Sequence, residues 1–409
     1  MNSPLSRICY IIVFTPLILF IVEIVNFLLI SDGLKLVNYK ELNVEEIIIY
    51  FSHAVIFTFV SLISYLIIKK IRFFKNLKFN KSIFIENNNS LTLLISVLFL
   101  SIAIKVLLSK IFSHGALNYI TLSRTGEMNI GFTTYFIIKF FPVIIAQQIK
   151  EGFNTKIILI SLLILVAINL LTGYRLSLIV GAIYICLFNY DKILSNFNFR
   201  FLSYFLLFVI FTIGINYFRI ILVENKDDFN FLSSINRTTP MVIMSLADEY
   251  DLEFKFLDQF KFYAEHIYMT FYKFGLADLQ SLIEDKNTSQ INSVLFSEFL
   301  NWRGTPNYEP SGFSISIISY SYIFGRFWGI VCFSFFYGAI IGVGSKLLKS
   351  KIFYKRLWGC LFLTFCIFCN ESVYEASKFL IHLSIFIFFI IICHFTIHIL
   401  SYFILKKTN

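Results

Sequence analysis

The feature that most constrains the fold is a series of uncharged apolar runs, each about the length of a membrane span, recurring between residues 8 and 405. A hydrocarbon layer of about 30 Å is crossed by roughly 20 apolar residues in a helix. The runs predict ten spans, at 8–30, 47–68, 91–111, 130–149, 157–172, 175–190, 201–222, 327–347, 356–371 and 379–404. Composition agrees, because 57% of the 409 residues are hydrophobic and 15% are charged, whereas a soluble domain carries about 25% charged residues. The expected fold class is all-α: a polytopic integral membrane protein of about ten transmembrane helices with one long, partly helical outer loop. The first run follows Arg7 as in a signal peptide. It is too long for one and ends in "ISDG" instead of a small-x-small cleavage site, so it reads as an uncleaved first span.

A net charge of +10 would suggest nucleic acid in a soluble chain, but here the cations cluster between apolar runs, and no nucleic-acid partner is expected. The segment "KKIRFFKNLKFNK" (69–81) holds six Lys and Arg, and "SKLLKSKIFYKR" (345–356) holds five. The positive-inside rule puts both in the cytoplasm. Alternation then places both termini inside and the 223–326 connection outside. The chain divides into helices 1–7 (1–222), the large outer loop (223–326) and helices 8–10 (327–409), all within one membrane domain. The loop exceeds usual connection lengths, which points to function. Its 241–283 stretch has helical apolar periodicity, and "NWRGTPNYEPSGF" follows with helix-breaking Pro and Gly.

Between residues 157 and 190 one charge, Arg175, interrupts 34 residues. A single helix of that length would be about 50 Å long, so "TGY" is expected to turn the chain and leave Arg175 at the top of a hairpin at the outer surface. The arginines outside the basic cytoplasmic segments are Arg124, Arg175, Arg219, Arg237, Arg303 and Arg326, and the topology puts all six at or near that surface. A guanidinium stays charged and presents a rigid fork of donors, which suits phosphate or carboxylate. The substrate-binding set expected for a diphosphate is Arg175, Arg326, Arg237, Arg303 and Arg219. His266, beside Glu265, is the candidate general base, and Glu309 is the carboxylate chosen from the loop acids Glu249, Asp251, Glu265, Glu298 and Glu309.

Other classes lose support. The P-loop, HExxH and GxSxG patterns are missing from the sequence. Glu23 is the one acid well inside a span, which argues against a carboxylate proton relay. The seven cysteines all lie in apolar segments and read as packing residues. Cys366 and Cys369 form a lone C-x-x-C without a second pair, so neither a metal site nor a cofactor is expected.

The run "PSGFSISIISYSYIFGRFWGIVCFSFFYGAIIGVG" (310–344) resembles the segment closing the large outer loop of bacterial O-antigen polymerases, the Wzy-type repeat-unit polymerases, through Phe324, Gly325, Gly329 and Gly338. "LLTGYRLSLI" is similar to the family's Thr-Gly-x-Arg hairpin at Thr172, Gly173 and Arg175. An Arg followed by ten residues and a Gly, seen in some members, does not occur. The His-Asn dipeptide typical of O-antigen ligases is missing too, which favours polymerase over ligase. The resemblance implies an inner-membrane glycosyltransferase joining polyprenyl-diphosphate-linked oligosaccharides on the outer face. Its partners would be that lipid-linked oligosaccharide and membrane lipid, with a chain-length regulator protein as a further candidate. The alternatives are a lipid-linked oligosaccharide flippase, a ligase or a non-enzymatic membrane scaffold.

Overall fold

The computed structural model describes residues 4–29, 44–71, 132–172, 176–191, 240–249, 315–350 and 353–370, with scattered positions between 96 and 109 and between 373 and 395. Among the described residues the regular structure is helical throughout: α1 (Pro4–Leu29), α2 (Val44–Lys70), α3 (Phe132–Glu151), α4 (Thr155–Thr172), α5 (Leu176–Phe188), α6 (Pro240–Glu249), α7 (Ile317–Ile323), α8 (Arg326–Leu348) and α9 (Phe353–Cys369). Three of these, α1, α2 and α8, are long and apolar enough to cross a membrane. Their outward faces carry exposed apolar side chains such as Ile11, Phe59 and Phe336. A water-soluble surface would normally leave few such residues together.

Helices α1, α2 and α8 match apolar runs and extend past them at one or both ends, while the run at 201–222 lies outside the described residues and those at 91–111 and 379–404 lie partly outside them. Helix α1 begins before Arg7, while α2 takes in Glu45 and Glu46 at its start and Lys69 and Lys70 at its end. Those charges oppose the partial charges at the two ends of the helix and so favour the extra turns. The run expected at 175–190 forms α5, whose 13 residues span only about 20 Å at 1.5 Å per residue.

Small residues set the packing of α2, α8 and α9. A Cβ on Gly338 would lie 2.1 Å from the Ser61 carbonyl oxygen, so α2 and α8 approach backbone to backbone. Ser61 Oγ donates to Ser334 O at 3.0 Å and Ser64 Oγ to Phe335 O at 2.7 Å, stitching the same seam. Gly359 of α9 is as tight, because its Cβ would lie 2.3 Å from Leu348 N. Such seams hold helices together where apolar surface alone gives little preference for protein over lipid.

Helix α1 joins this core through a proline. Pro16 has no N–H to give the Ile12 carbonyl, its usual partner one turn back. Tyr337 Oη donates toward that carbonyl at 3.1 Å and toward Cys366 O at 3.1 Å, and it accepts from Asn370 Nδ2 at 3.2 Å. One buried phenol thus ties α1, α8 and the end of α9 together. Cys9, Cys366 and Cys369 are buried around these contacts as free thiols, and Cys360 is buried farther along α9. Beside them, Gly181 of α5 packs against Pro142 of α3.

The two ends of this bundle differ in charge. At one end Lys346 Nζ donates to the carbonyls of Ile68, in the last turn of α2, and of Ile71 just beyond it. Lys69 Nζ donates there to Ser6 Oγ at 2.7 Å and lies over the rings of Tyr10 and Tyr65. Cations bound to helix C-terminal carbonyls are stabilising. The opposite end carries the polar cluster described next.

Candidate functional site

The cluster is built on the tight turn between α7 and α8. Ser316 caps α7, its Oγ accepting from Ser319 N at 3.4 Å. The helix ends at Phe324, and Gly325 takes φ 146°, a backbone conformation open to glycine and strained for other residues. Gly329 then lets the first turn of α8 ride on α7, since a Cβ there would lie 2.1 Å from Ser321 O. The Phe-Gly turn is therefore a close knuckle between two helices.

Arg326 is the first residue beyond this knuckle, and its φ of 50° makes it the one non-glycine residue with positive φ among the described residues. That conformation costs on the order of 1 kcal/mol or more. A cation at a helix N-terminus also faces the positive end of the dipole. Both penalties are offset by α6. Arg326 Nη1 pairs with Asp248 Oδ1 at 2.5 Å, and Nη2 donates to Ala247 O at 3.0 Å, in the last turn of that helix. The guanidinium lies 4.9 Å from the centre of the Tyr322 ring.

Asp248 is the hub. Tyr50 Oη donates to its Oδ2 at 2.7 Å, and Tyr322 Oη shares its proton between Oδ1 at 2.9 Å and Oδ2 at 2.8 Å. His53, one turn from Tyr50, sets its ring edge-on to Tyr322 at 5.3 Å. Burial, reinforced by the hydrogen bond to Asp248 and its charge and opposed by Arg326, pushes the Tyr322 phenol up to about 12. It remains a hydrogen-bond donor throughout the physiological range. The ion pair itself stays within reach of ligands, with side-chain exposures of 28% for Arg326 and 40% for Asp248.

Helix α6 is fixed in place at its other end. Pro240 occupies its first position, where a missing N–H does no harm. Both Glu23 carboxylate oxygens accept from Met241 N, at 3.2 and 3.1 Å, and Pro240 O accepts from Ser319 Oγ at 3.2 Å. Glu23, singled out as a lone acid inside a span, thus holds a helix N-terminus, where negative charge is favoured.

Of the residues expected from sequence, Arg326 is in this cluster. Arg175, Arg219, Arg237, Arg303, His266 and Glu309 lie outside the described residues. Asp248, Tyr50 and Tyr322 were not anticipated, although Asp248 left a trace. Met241 and Met244 are buried on α6, and Asp248 follows one turn later on the same side, an acid continuing an apolar face. No protein-family model, curated protein or solved structure matches the chain.

Proposed function

We propose that the chain spans a bacterial cytoplasmic membrane ten times with both termini inside, and that it is a glycosyltransferase. On this reading it polymerises polyprenyl-diphosphate-linked oligosaccharide units into O-antigen or a related surface polysaccharide. The observation that carries the reading is Arg326, held in a strained backbone conformation, partly open to solvent, at the end of the bundle opposite Lys69 and Lys346. Strain kept at a charged, accessible side chain is what a binding site requires and packing does not. The resemblance to O-antigen polymerases adds support, since Phe324, Gly325 and Gly329 form the knuckle that carries this arginine and Gly338 packs the same helix, α8, against α2.

The chemistry follows from the ligand class. A sugar diphosphate carries its own leaving group, so the protein has to hold the developing negative charge and accept a proton from the acceptor hydroxyl. On this reading Arg326 takes the diphosphate, with Arg175, Arg219, Arg237 and Arg303 as further donors and His266 or Glu309 as sequence-based candidates for the base. The lipid anchors the diphosphate at the membrane surface, which accounts for an arginine held at the end of a helical bundle.

A deletion strain tests the proposal. Export and ligation of single units would continue without the polymerase, so its surface glycan should stop at one repeat unit. An undiminished long ladder would refute the reading, and loss of all surface glycan would favour a flippase or a ligase.

A further inference from the structure

We infer that Asp248 is an internal competitor for the anion site at Arg326 and becomes the proton acceptor once the ligand has taken Arg326 away from it. The proton-transfer step rests on the glycosyltransferase reading above, whereas the competition stands on the geometry alone.

Asp248 receives three donors, the Arg326 guanidinium and the phenols of Tyr50 and Tyr322. A diphosphate carries more charge than a carboxylate and offers the same paired oxygens, so it competes directly for the guanidinium fork. A carboxylate stripped of its one partner would be left with an uncompensated charge, and the exchange would be opposed. Here Tyr50 at 2.7 Å and Tyr322 at 2.8 Å stay with Asp248 when Arg326 swings to the ligand. Tyr50 comes from α2, so its position is set independently of the arginine, whereas Tyr322, from α7, itself lies 4.9 Å from the guanidinium.

The exchange also alters what Asp248 can do. With Arg326 on the ligand, Asp248 Oδ1 has lost its shortest donor contact and can accept from the acceptor hydroxyl instead. The acceptor's O–H proton then passes to an Asp248 oxygen, and the hydroxyl oxygen forms the new bond to the anomeric carbon of the donor sugar. The bond from that carbon to the diphosphate breaks, and its electron pair leaves on the diphosphate, where Arg326 holds the charge. Asp248 afterwards releases the proton to water. Because Arg326 occupies Oδ1 until a diphosphate arrives, that oxygen is available only when a donor is bound.

The full chain in nanodiscs of zwitterionic lipid, titrated with inorganic pyrophosphate by calorimetry, separates competition from a purely structural role. Asp248→Asn removes the competitor's charge and should bind pyrophosphate about fivefold more tightly, the scale of a partly solvated ion pair. Tyr50→Phe keeps the ion pair but withdraws a donor that Asp248 needs after the exchange, so it should bind roughly two- to threefold more weakly. If Asp248 only positioned Arg326, both variants would bind more weakly. Equal or weaker binding by Asp248→Asn, or no binding by the wild type, overturns the competition. With a lipid-linked unit as substrate, Asp248→Asn should elongate at least about 100-fold more slowly despite its tighter anion binding. Undiminished elongation removes the base role. If affinities shift as expected but the wild type elongates nothing, the glycosyltransferase reading fails and the competition stands.

Discussion

Replacing Gly338 by Ala puts a methyl group where α2 and α8 touch backbone to backbone. The new Cβ would lie 2.1 Å from Ser61 O, 2.8 Å from Ser61 C and 2.9 Å from Ser61 Cα. Carbon needs about 3.5 Å from its neighbours. All three obstacles are main-chain atoms, so no rotamer change relieves the clash and α2 has to withdraw by on the order of 1 Å. That movement breaks the 3.0 Å hydrogen bond from Ser61 and stretches the 2.7 Å one from Ser64. Overpacking costs about 1–3 kcal/mol, and two interhelical hydrogen bonds add about 0.6 kcal/mol each. Helix propensity returns up to about 1 kcal/mol for Gly→Ala, which leaves a net loss of roughly 1–3 kcal/mol. Gly342→Ala is the milder internal comparison, because its Cβ would meet Ile68 Cγ2 at 2.7 Å and Ile68 Cβ at 2.8 Å, and although Cγ2 can rotate away, Cβ cannot, so α2 has to withdraw by less than the 2.1 Å contact at Gly338 demands. Unfolding free energies in bicelles should rank Gly338→Ala well below Gly342→Ala, and both below wild type. Equal stability of Gly338→Ala and wild type would refute the close-packed seam.

Two further predictions concern orientation and pH. Reporter fusions after Lys81 and Lys351 should report cytoplasm and one near residue 290 the outside, because eleven cations lie in the two basic connections (six and five); a cytoplasmic signal near residue 290 would place the loop on the wrong face for an external polymerase. Tyr322, with its phenol pushed up to about 12, should titrate well above a tyrosine's usual value near 10. The neutral phenol is the form the fold favours, so its contribution is fully present below about pH 10 and is lost as pH rises through about 12. Tyrosinate absorbance of wild type minus Tyr322→Phe should show that late transition, and a transition near 10 would contradict the buried contact with Asp248.

Hydropathy made α1, α2 and α8 legible, because each is one unbroken apolar run, and it misplaced their ends by a few residues. A hydropathy window stops at charge, whereas helices continue through Glu45, Glu46, Lys69 and Lys70, whose charges suit the helix termini. The Phe324-Gly325 turn could likewise be read locally, since only glycine takes that backbone conformation without strain. The partnership of Arg326 with Asp248 could not. The two are 78 residues apart, and their meeting depends on Glu23 and Ser319 holding α6 in place, which no local pattern encodes. The adjacency of α2 and α8 was hidden for the same reason: serines and glycines prepare each surface for close contact without naming the partner.

The most direct measurement of the central claim is elongation by the purified protein in nanodiscs supplied with a defined polyprenyl-diphosphate-linked repeat unit, comparing wild type, Arg326→Lys and Arg326→Ala. Loss of a charge-assisted contact to the leaving group is worth about 2–4 kcal/mol, or roughly 30- to 1,000-fold in rate. The wild type should build a ladder of repeats, with Arg326→Ala slowed to that extent and Arg326→Lys in between, since lysine keeps the charge and loses the fork. A wild type that elongates nothing, or an Arg326→Ala protein that builds the full ladder at the normal rate, would contradict it.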